Sequence, residues 1–185
     1  PAGSMEALRA AVQNGANAVY LGYDMFNARM GAQNFSADEL QEAIVYCHVR
    51  GVKVHLTLNT LVLDREMQRA ADLIRMAAAF GVDAFIVSDL GALRLAQRYA
   101  PNVELHVSTQ ASVCNAEAAR VWRELGASRV VCAREMSLAD IARLRQDAPP
   151  DLEIEAFAHG AMCMAVSGRC LISAALTGRS GNKGH

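Results

Sequence analysis

One phrase recurs along the chain and constrains its fold more than any other feature. An amphipathic stretch closes on glycine, and two or three residues later a short β-rich run begins: "NGANAVYLG", "RGVKVHLTLN", "FGVDAFIVSD" and "LGASRVVCARE". Gly15, Gly51, Gly81 and Gly126 stand where a helix ends in a left-handed residue, a conformation that glycine adopts without a Cβ clash. The stretches between carry helix signals of their own. Ser36 with Glu39 three residues on makes a capping box, followed by the apolar stripe Leu40, Ala43, Ile44 and Cys47. Ser137 and Asp140 open another helix with Ile141 and Leu144 inside, and Asn115 caps a third that should bury Ala118, Val121, Trp122 and Leu125. Strand–helix alternation of this kind specifies a parallel sheet, because parallel neighbours need a crossover long enough for a helix.

The strands are read at residues 18–21, 54–58, 84–87, 105–107, 129–132 and 154–158. Their near-continuous apolarity suits strands buried on both faces. The expected fold is α/β, a parallel (β/α) TIM-barrel-like domain, with an open doubly wound sheet as the alternative. A whole barrel takes roughly 250 residues, so 185 residues make an incomplete one. The chain is expected to be a fragment, one partial domain over residues 1–185 that lacks the first strand and the C-terminal part.

That architecture locates the chemistry, because functional residues of such folds lie just beyond the C-terminal ends of the strands. The positions concerned hold Tyr23, Asn27 and Arg29; Asn59; Ser88 and Asp89; Ser108, Thr109 and Gln110; Arg134 and Glu135; and His159. Ser88 and Asp89 read equally well as helix caps, and Arg134 with Glu135 as an ion pair at the rim. Asn59, Gln110, Arg134, Glu135 and His159 are the candidate catalytic residues. A pocket lined by the first four would suit a small anionic, oxygen-rich ligand.

A formal net charge of −1 gives no electrostatic ground for nucleic-acid or membrane binding, and no apolar run reaches the roughly 18 residues of a membrane span. Five scattered cysteines do not make a disulfide framework, so a reducing cytoplasm is the expected setting. Cys47, Cys114 and Cys132 lie in apolar periodic segments and are expected to be buried thiols.

Cys163 and Cys170 are different, because they follow the sixth strand and so lie at the mouth. If "CMAVSGRC" is helical, its seven-residue spacing puts both thiols on one face, roughly 10 Å apart. That separation is too wide for a disulfide or for one tetrahedral zinc, whereas an iron–sulfur cluster tolerates it. Burial beside Met164 and Leu171, a zinc site using His159, and a nucleophilic Cys163–His159 pair are the other readings of the spacing.

Residues 155–173, "EAFAHGAMCMAVSGRCLIS", resemble the signature of the collagenase-like peptidases, peptidase family U32, through Glu155, Phe157, Gly160, Ala161, Met162, Cys163, Gly168, Cys170 and Ser173. "PAG" at Pro1, "GANAVYLG", "LNT" at Leu58, "STQAS" at Ser108, "ARE" at Ala133 and "TGRSGNKG" at Thr177 extend the resemblance along the chain. It implies a barrel and a [4Fe–4S] cluster in the full-length protein, with Cys163 and Cys170 as two of four cysteine ligands and the others beyond residue 185. It further implies prephenate-dependent hydroxylation of ribosomal or transfer RNA, with RNA as partner and prephenate as co-substrate. A metal-dependent collagenase-like peptidase is the alternative, and an accessory protein of ubiquinone hydroxylation or a cluster-presenting scaffold are further ones. The chain carries no "HExxH" and no G-x-S-x-G elbow, which weighs against the known peptidase mechanisms.

Overall fold

The computed structural model describes residues 1–28, 34–160, 163 and 165–169. Within them helices and strands alternate: α1 (Met5–Gln13), β1 (Ala18–Gly22), α2 (Ala37–His48), β2 (Lys53–Leu58), α3 (Met67–Phe80), β3 (Ala84–Val87), α4 (Leu90–Tyr99), β4 (Glu104–Val107), α5 (Ala116–Glu124), β5 (Arg129–Val131), α6 (Leu138–Asp147) and β6 (Glu153–Glu155). All six strands pair in parallel in chain order, giving a curled half-barrel rather than a doubly wound sheet. Past β1, Ala2 forms a parallel bridge to Leu21, with its N–H donating to the Tyr20 carbonyl at 2.9 Å.

The local signals hold. Ser36 with Glu39 and Ser137 with Asp140 form reciprocal capping boxes, and the Asn115 and Asp89 side chains accept from the Ala118 and Ala92 amides. Asp89 is therefore a helix cap. Gly15, Gly51, Gly81 and Gly126 all have positive φ, between 72° and 96°. Leu40, Ala43, Ile44 and Cys47 are buried as the α2 stripe requires. On α5 the buried position is Ala119, and Val121, expected inside, lies at the flank of the stripe and is 54% exposed.

Register divides the sheet into two chemically different faces. Residues paired across parallel strands point to the same side and alternate along each strand. Leu21, Leu56, Phe85 and Leu105 form one row, and Leu58, Val87, Val107, Val130 and Ile154 the next. Both rows pack under the helices, in a large apolar cluster beneath α1–α4 and a smaller one beneath α5 and α6. The alternate rows face the lumen: Tyr20, His55, Ala84 and Glu104, then Gly22, Thr57, Ile86, His106, Arg129 and Glu153, then Val131 and Glu155. Burial on both faces holds for most of β2, β3 and β4, including His55, Thr57, Ala84, Ile86 and His106. What is corrected is the apolar character of the lumen side, where histidines and charged residues stand among Ala84, Ile86 and Val131.

Charge on that face is paired. The Arg129 guanidinium bonds both Glu153 and Glu155, with its Nη1 at 3.0 Å from the Glu155 carboxylate. His106 Nε2 lies 3.0 Å from the Glu104 carboxylate, and its ring meets that of His55 edge-on at 4.7 Å between centroids. With the proton on Nε2, the neutral ring presents its lone pair at Nδ1, which is buried without a partner among the described residues. Burial, followed by the nearby His106 and Arg129, pushes the His55 pKa down to about 4, although Asp83 and Glu104 pull the other way. Burial lowers His106 as well, against the opposing hydrogen bond from Glu104.

These histidines make stability pH-dependent with a definite sign. Unfolded, His55 takes up a proton near pH 6.5, whereas folded it stays neutral until about pH 4. The unfolded state therefore binds more protons between these values, and stability falls as pH drops through that window. The loss attributable to His55 reaches about 3 kcal/mol at its lower end, at 1.36 kcal/mol per pH unit. Urea unfolding at pH 7 and pH 5 should show a shallower pH dependence in His55→Gln than in wild type, by about 2 kcal/mol. Equal slopes would mean that His55 is not held neutral by the fold.

Candidate functional site

The C-terminal ends of β2, β4 and β5 converge on the segment that follows β6. Asn59, just past β2, accepts the Ala28 N–H at Oδ1 (2.9 Å) and donates from Nδ2 to Ser108 Oγ (3.2 Å). Ser108 caps the short turn Thr109–Ala111 by accepting the Gln110 N–H at 3.1 Å. Ser112 then takes a left-handed φ of 57°, unusual for a side-chain-bearing residue, and its hydroxyl donates to the Ser167 carbonyl. Thr109 Oγ1 ties this turn to the next strand by donating to the Cys132 carbonyl at 3.2 Å.

Ser167 is the meeting point and is fully buried. Its N–H donates to the Glu135 carboxylate at 2.7 Å, and its Oγ accepts from Arg134 Nε at 3.2 Å and from the Arg134 N–H at 3.4 Å. Arg134 continues along the segment, with Nη1 reaching the Cys163 carbonyl at 3.5 Å and Nη2 the Ala165 carbonyl at 3.4 Å. Burial raises the Glu135 pKa, but the hydrogen bonds from Ser167 and the Arg134 charge outweigh it and the carboxyl lies below its usual range. Next to Ser167, Gly168 has φ +71°, and a Cβ there would overlap the Gln110 carbonyl oxygen. The backbone approaches too closely for any other residue.

This arrangement brings Gln110, Arg134 and Glu135 together with Cys163 at one end of the half-barrel, and Asn59 joins them through Ser108. Arg134 and Glu135 are not an isolated rim ion pair, since both bond to the segment carrying Cys163. His159 is exposed on the stretch leading into that segment. The strand read at 154–158 ends at Glu155, because its partner β5 stops at Val131 and the Ala133 N–H turns away to the Val113 carbonyl. Phe157 is consequently exposed. Residues 163 and 165–169 are irregular, with a bend at Ala165 and a turn at Ser167 and Gly168, rather than helical. Cys170, Arg29 and "TGRSGNKG" lie outside the described residues.

Cys163 is exposed, and the Ala165 N–H points to its Sγ at 3.5 Å. Cys114 is exposed as well, contrary to expectation, because it sits outside α5 just before the Asn115 cap; Cys47 and Cys132 are buried. Burial, then the Glu135 charge, raises the Cys114 pKa, with Arg169 opposing. Two buried hydroxyls near the mouth, on Thr60 and Ser88, meet no hydrogen-bond partner among the described residues. The residues missed by sequence reasoning are Ser112 and Ser167. Ser167 stands directly before Gly168, and that pair was the available signal for a close backbone approach.

Among the described residues no three His, Cys, Asp or Glu side chains are grouped to hold a metal ion. The described part of the mouth nevertheless fits a thiolate-bound cluster in kind. It offers an accessible sulfur, an amide aimed at that sulfur and a guanidinium beside the same backbone.

The model of peptidase family U32 matches residues 3–185. The chain belongs to this family. It is 42% identical over 185 residues to the tRNA hydroxylation protein P of Helicobacter pylori, which covers all of this chain and 44% of that protein. It is 42% identical over 184 residues to the 23S rRNA 5-hydroxycytidine C2501 synthase of Escherichia coli, covering 27% of that protein. A collagenase of Porphyromonas gingivalis is 37% identical over 194 residues, covering 46% of it. The chain thus spans less than half the length of these U32 relatives. The solved structure of the U32 peptidase Mk0906 superposes with a TM-score of 0.66 at 18% identity, over 83% of this chain and 64% of that one, a likeness of fold.

Gly168→Ala tests the close approach at the mouth. A left-handed Cβ costs about 1–2 kcal/mol before any clash. The segment around residues 163–169 should lift from Gln110 and be cleaved at least tenfold faster in limited proteolysis, with far-UV circular dichroism unchanged. Wild-type cleavage rates would show that the segment is not docked there.

Proposed function

We propose that this half-barrel is the cluster-bearing part of a U32 protein that supports hydroxylation of transfer or ribosomal RNA. The observation that carries the reading is the 42% identity along the whole chain to two proteins named for RNA hydroxylation. Cys163 and Cys170 are the proposed ligands of a [4Fe–4S] cluster, completed by cysteines elsewhere in the full-length protein. A bound cluster would supply one-electron transfer. The chain's own residues do the holding: Arg134 and Glu135 seat the segment that carries Cys163, and the Ala165 amide faces its sulfur. An amide directed at a cluster sulfur is one of the means by which proteins adjust such a centre's potential.

A carboxylate co-substrate of the prephenate kind is the proposed small ligand. Guanidinium has five N–H groups. Arg134 bonds the segment through Nε, Nη1 and Nη2, so N–H capacity remains at its Nη atoms for a carboxylate. Asn59 and Gln110 line the same end. His159, exposed nearby, is a proposed hydrogen-bonding group rather than a ligand. Among the described residues no helix is long and apolar enough to cross a membrane, and a reducing cytoplasm suits free thiols at the mouth.

The test is anaerobic purification of the full-length protein, followed by iron, sulfide and zinc analysis and mass spectrometry of RNA nucleosides from cells with and without the gene. Expected are iron and sulfide near four of each per chain, loss of both in Cys163→Ser, and loss of a hydroxylated nucleoside in the deletion strain. The relative named collagenase favours a second reading. Zinc in place of iron, gelatin cleavage and unchanged RNA would select it and overturn the first.

A further inference from the structure

We propose that Arg134, Glu135 and Ser167 form a positioning clamp that fixes Cys163 for ligation, with Ser167 as its pin; this rests on the cluster reading above. The two side chains follow β5, whereas Ser167 and Cys163 follow β6, so the clamp joins neighbouring strand ends across a gap no ladder bridges. Every polar group of Ser167 is used. Its N–H is held by Glu135, its carbonyl by Ser112 and its hydroxyl by Arg134, all at a residue with no solvent exposure. Burial requires a partner for each of these groups, and here all of them come from the residues that follow β4 and β5. A buried serine with three partners registers the backbone to within a hydrogen-bond length, since losing any of them strands a buried polar group.

Arg134 carries that registration to the thiol. Its two terminal nitrogens touch the carbonyls of Cys163 and Ala165, and the Ala165 amide in turn points at Sγ. Lysine has three donors but on a single nitrogen, so it cannot span the Ser167 hydroxyl and both carbonyls as the planar guanidinium does from three separate nitrogens. On the far side, Gly168 seats against Gln110, so the segment is gripped from both β4 and β5. A metal ligand held this way loses little freedom on binding, and supporting residues of this kind set the affinity and electronic character of a centre without touching it.

The experiment uses the full-length protein, prepared anaerobically, as wild type, Ser167→Ala, Glu135→Ala and Arg134→Lys. Glu135 is exposed, so its variant should keep the overall fold even if the other two do not. Two quantities are read: hydrogen exchange of the backbone around Ser167, and the rate at which iron is lost to a chelator, with the cluster's electron paramagnetic resonance spectrum after reduction. The clamp predicts at least tenfold faster exchange in Ser167→Ala and Glu135→Ala, iron lost at least tenfold faster, and an altered spectrum in Arg134→Lys. Unchanged exchange in the first two variants overturns the clamp. So does faster exchange with wild-type iron retention and spectrum, because the segment would then be held without positioning the ligand. If wild type holds no iron while exchange responds as predicted, the cluster reading fails and the clamp survives only as a support of the segment, which also overturns its proposed role.

Discussion

Parallel pairing in strict chain order is the constraint on which the rest of the molecule depends. It aligns Leu56 with Phe85 and Leu105, so one face of the sheet is a continuous apolar surface for the helices. The same register stacks His55, His106, Arg129 and Glu155 on the other face. It also sends every strand's C-terminal end to one side, where Asn59, Ser108, Arg134 and the segment after β6 meet. Burial of the apolar rows stabilises by about 1.5–3 kcal/mol for each large side chain, which is ample to hold a polar lumen face whose charges are mutually paired.

The short strands matter for the site. β5 and β6 pair over three residues, and their ladder ends where Cys132 takes the Glu155 carbonyl. Beyond that point the backbone of each chain segment needs other partners. Side chains provide them: Thr109 to the Cys132 carbonyl, Ser112 to the Ser167 carbonyl and Glu135 to the Ser167 amide. The mouth is thus built from hydrogen bonds that replace a sheet ladder. Each such bond contributes only about 1 kcal/mol net, but at a residue as buried as Ser167 losing one strands a polar group and costs more.

What the sequence disclosed follows from the range of each interaction. Caps such as Ser36–Glu39 and the glycines after helices are local, and a few neighbouring residues suffice to place the elements they bound. The grouping of Arg134, Gln110 and Cys163 was legible from fold logic, because parallel strands share one functional end. The lumen face was not read, since along β2 and β3 Thr57 and Ile86 alternate with Leu56, Leu58, Phe85 and Val87. Cys114 was misplaced although its position before Asn115 put it outside the helix. Ser167 depends on partners 32 to 55 residues away, Glu135, Arg134 and Ser112, and the adjoining Gly168 signals a close backbone approach without naming what is approached.

The central proposal is that Cys163, seated by Arg134 and Glu135 just past β5, binds iron at the mouth of the barrel. Anomalous diffraction at the iron edge from anaerobic crystals of the full-length protein addresses it most directly. The account predicts a compact iron peak within bonding distance of Cys163 Sγ, with Ser167 still bonded to Arg134 and Glu135. An iron-loaded protein with its anomalous peak elsewhere, and Cys163 Sγ free, would contradict it.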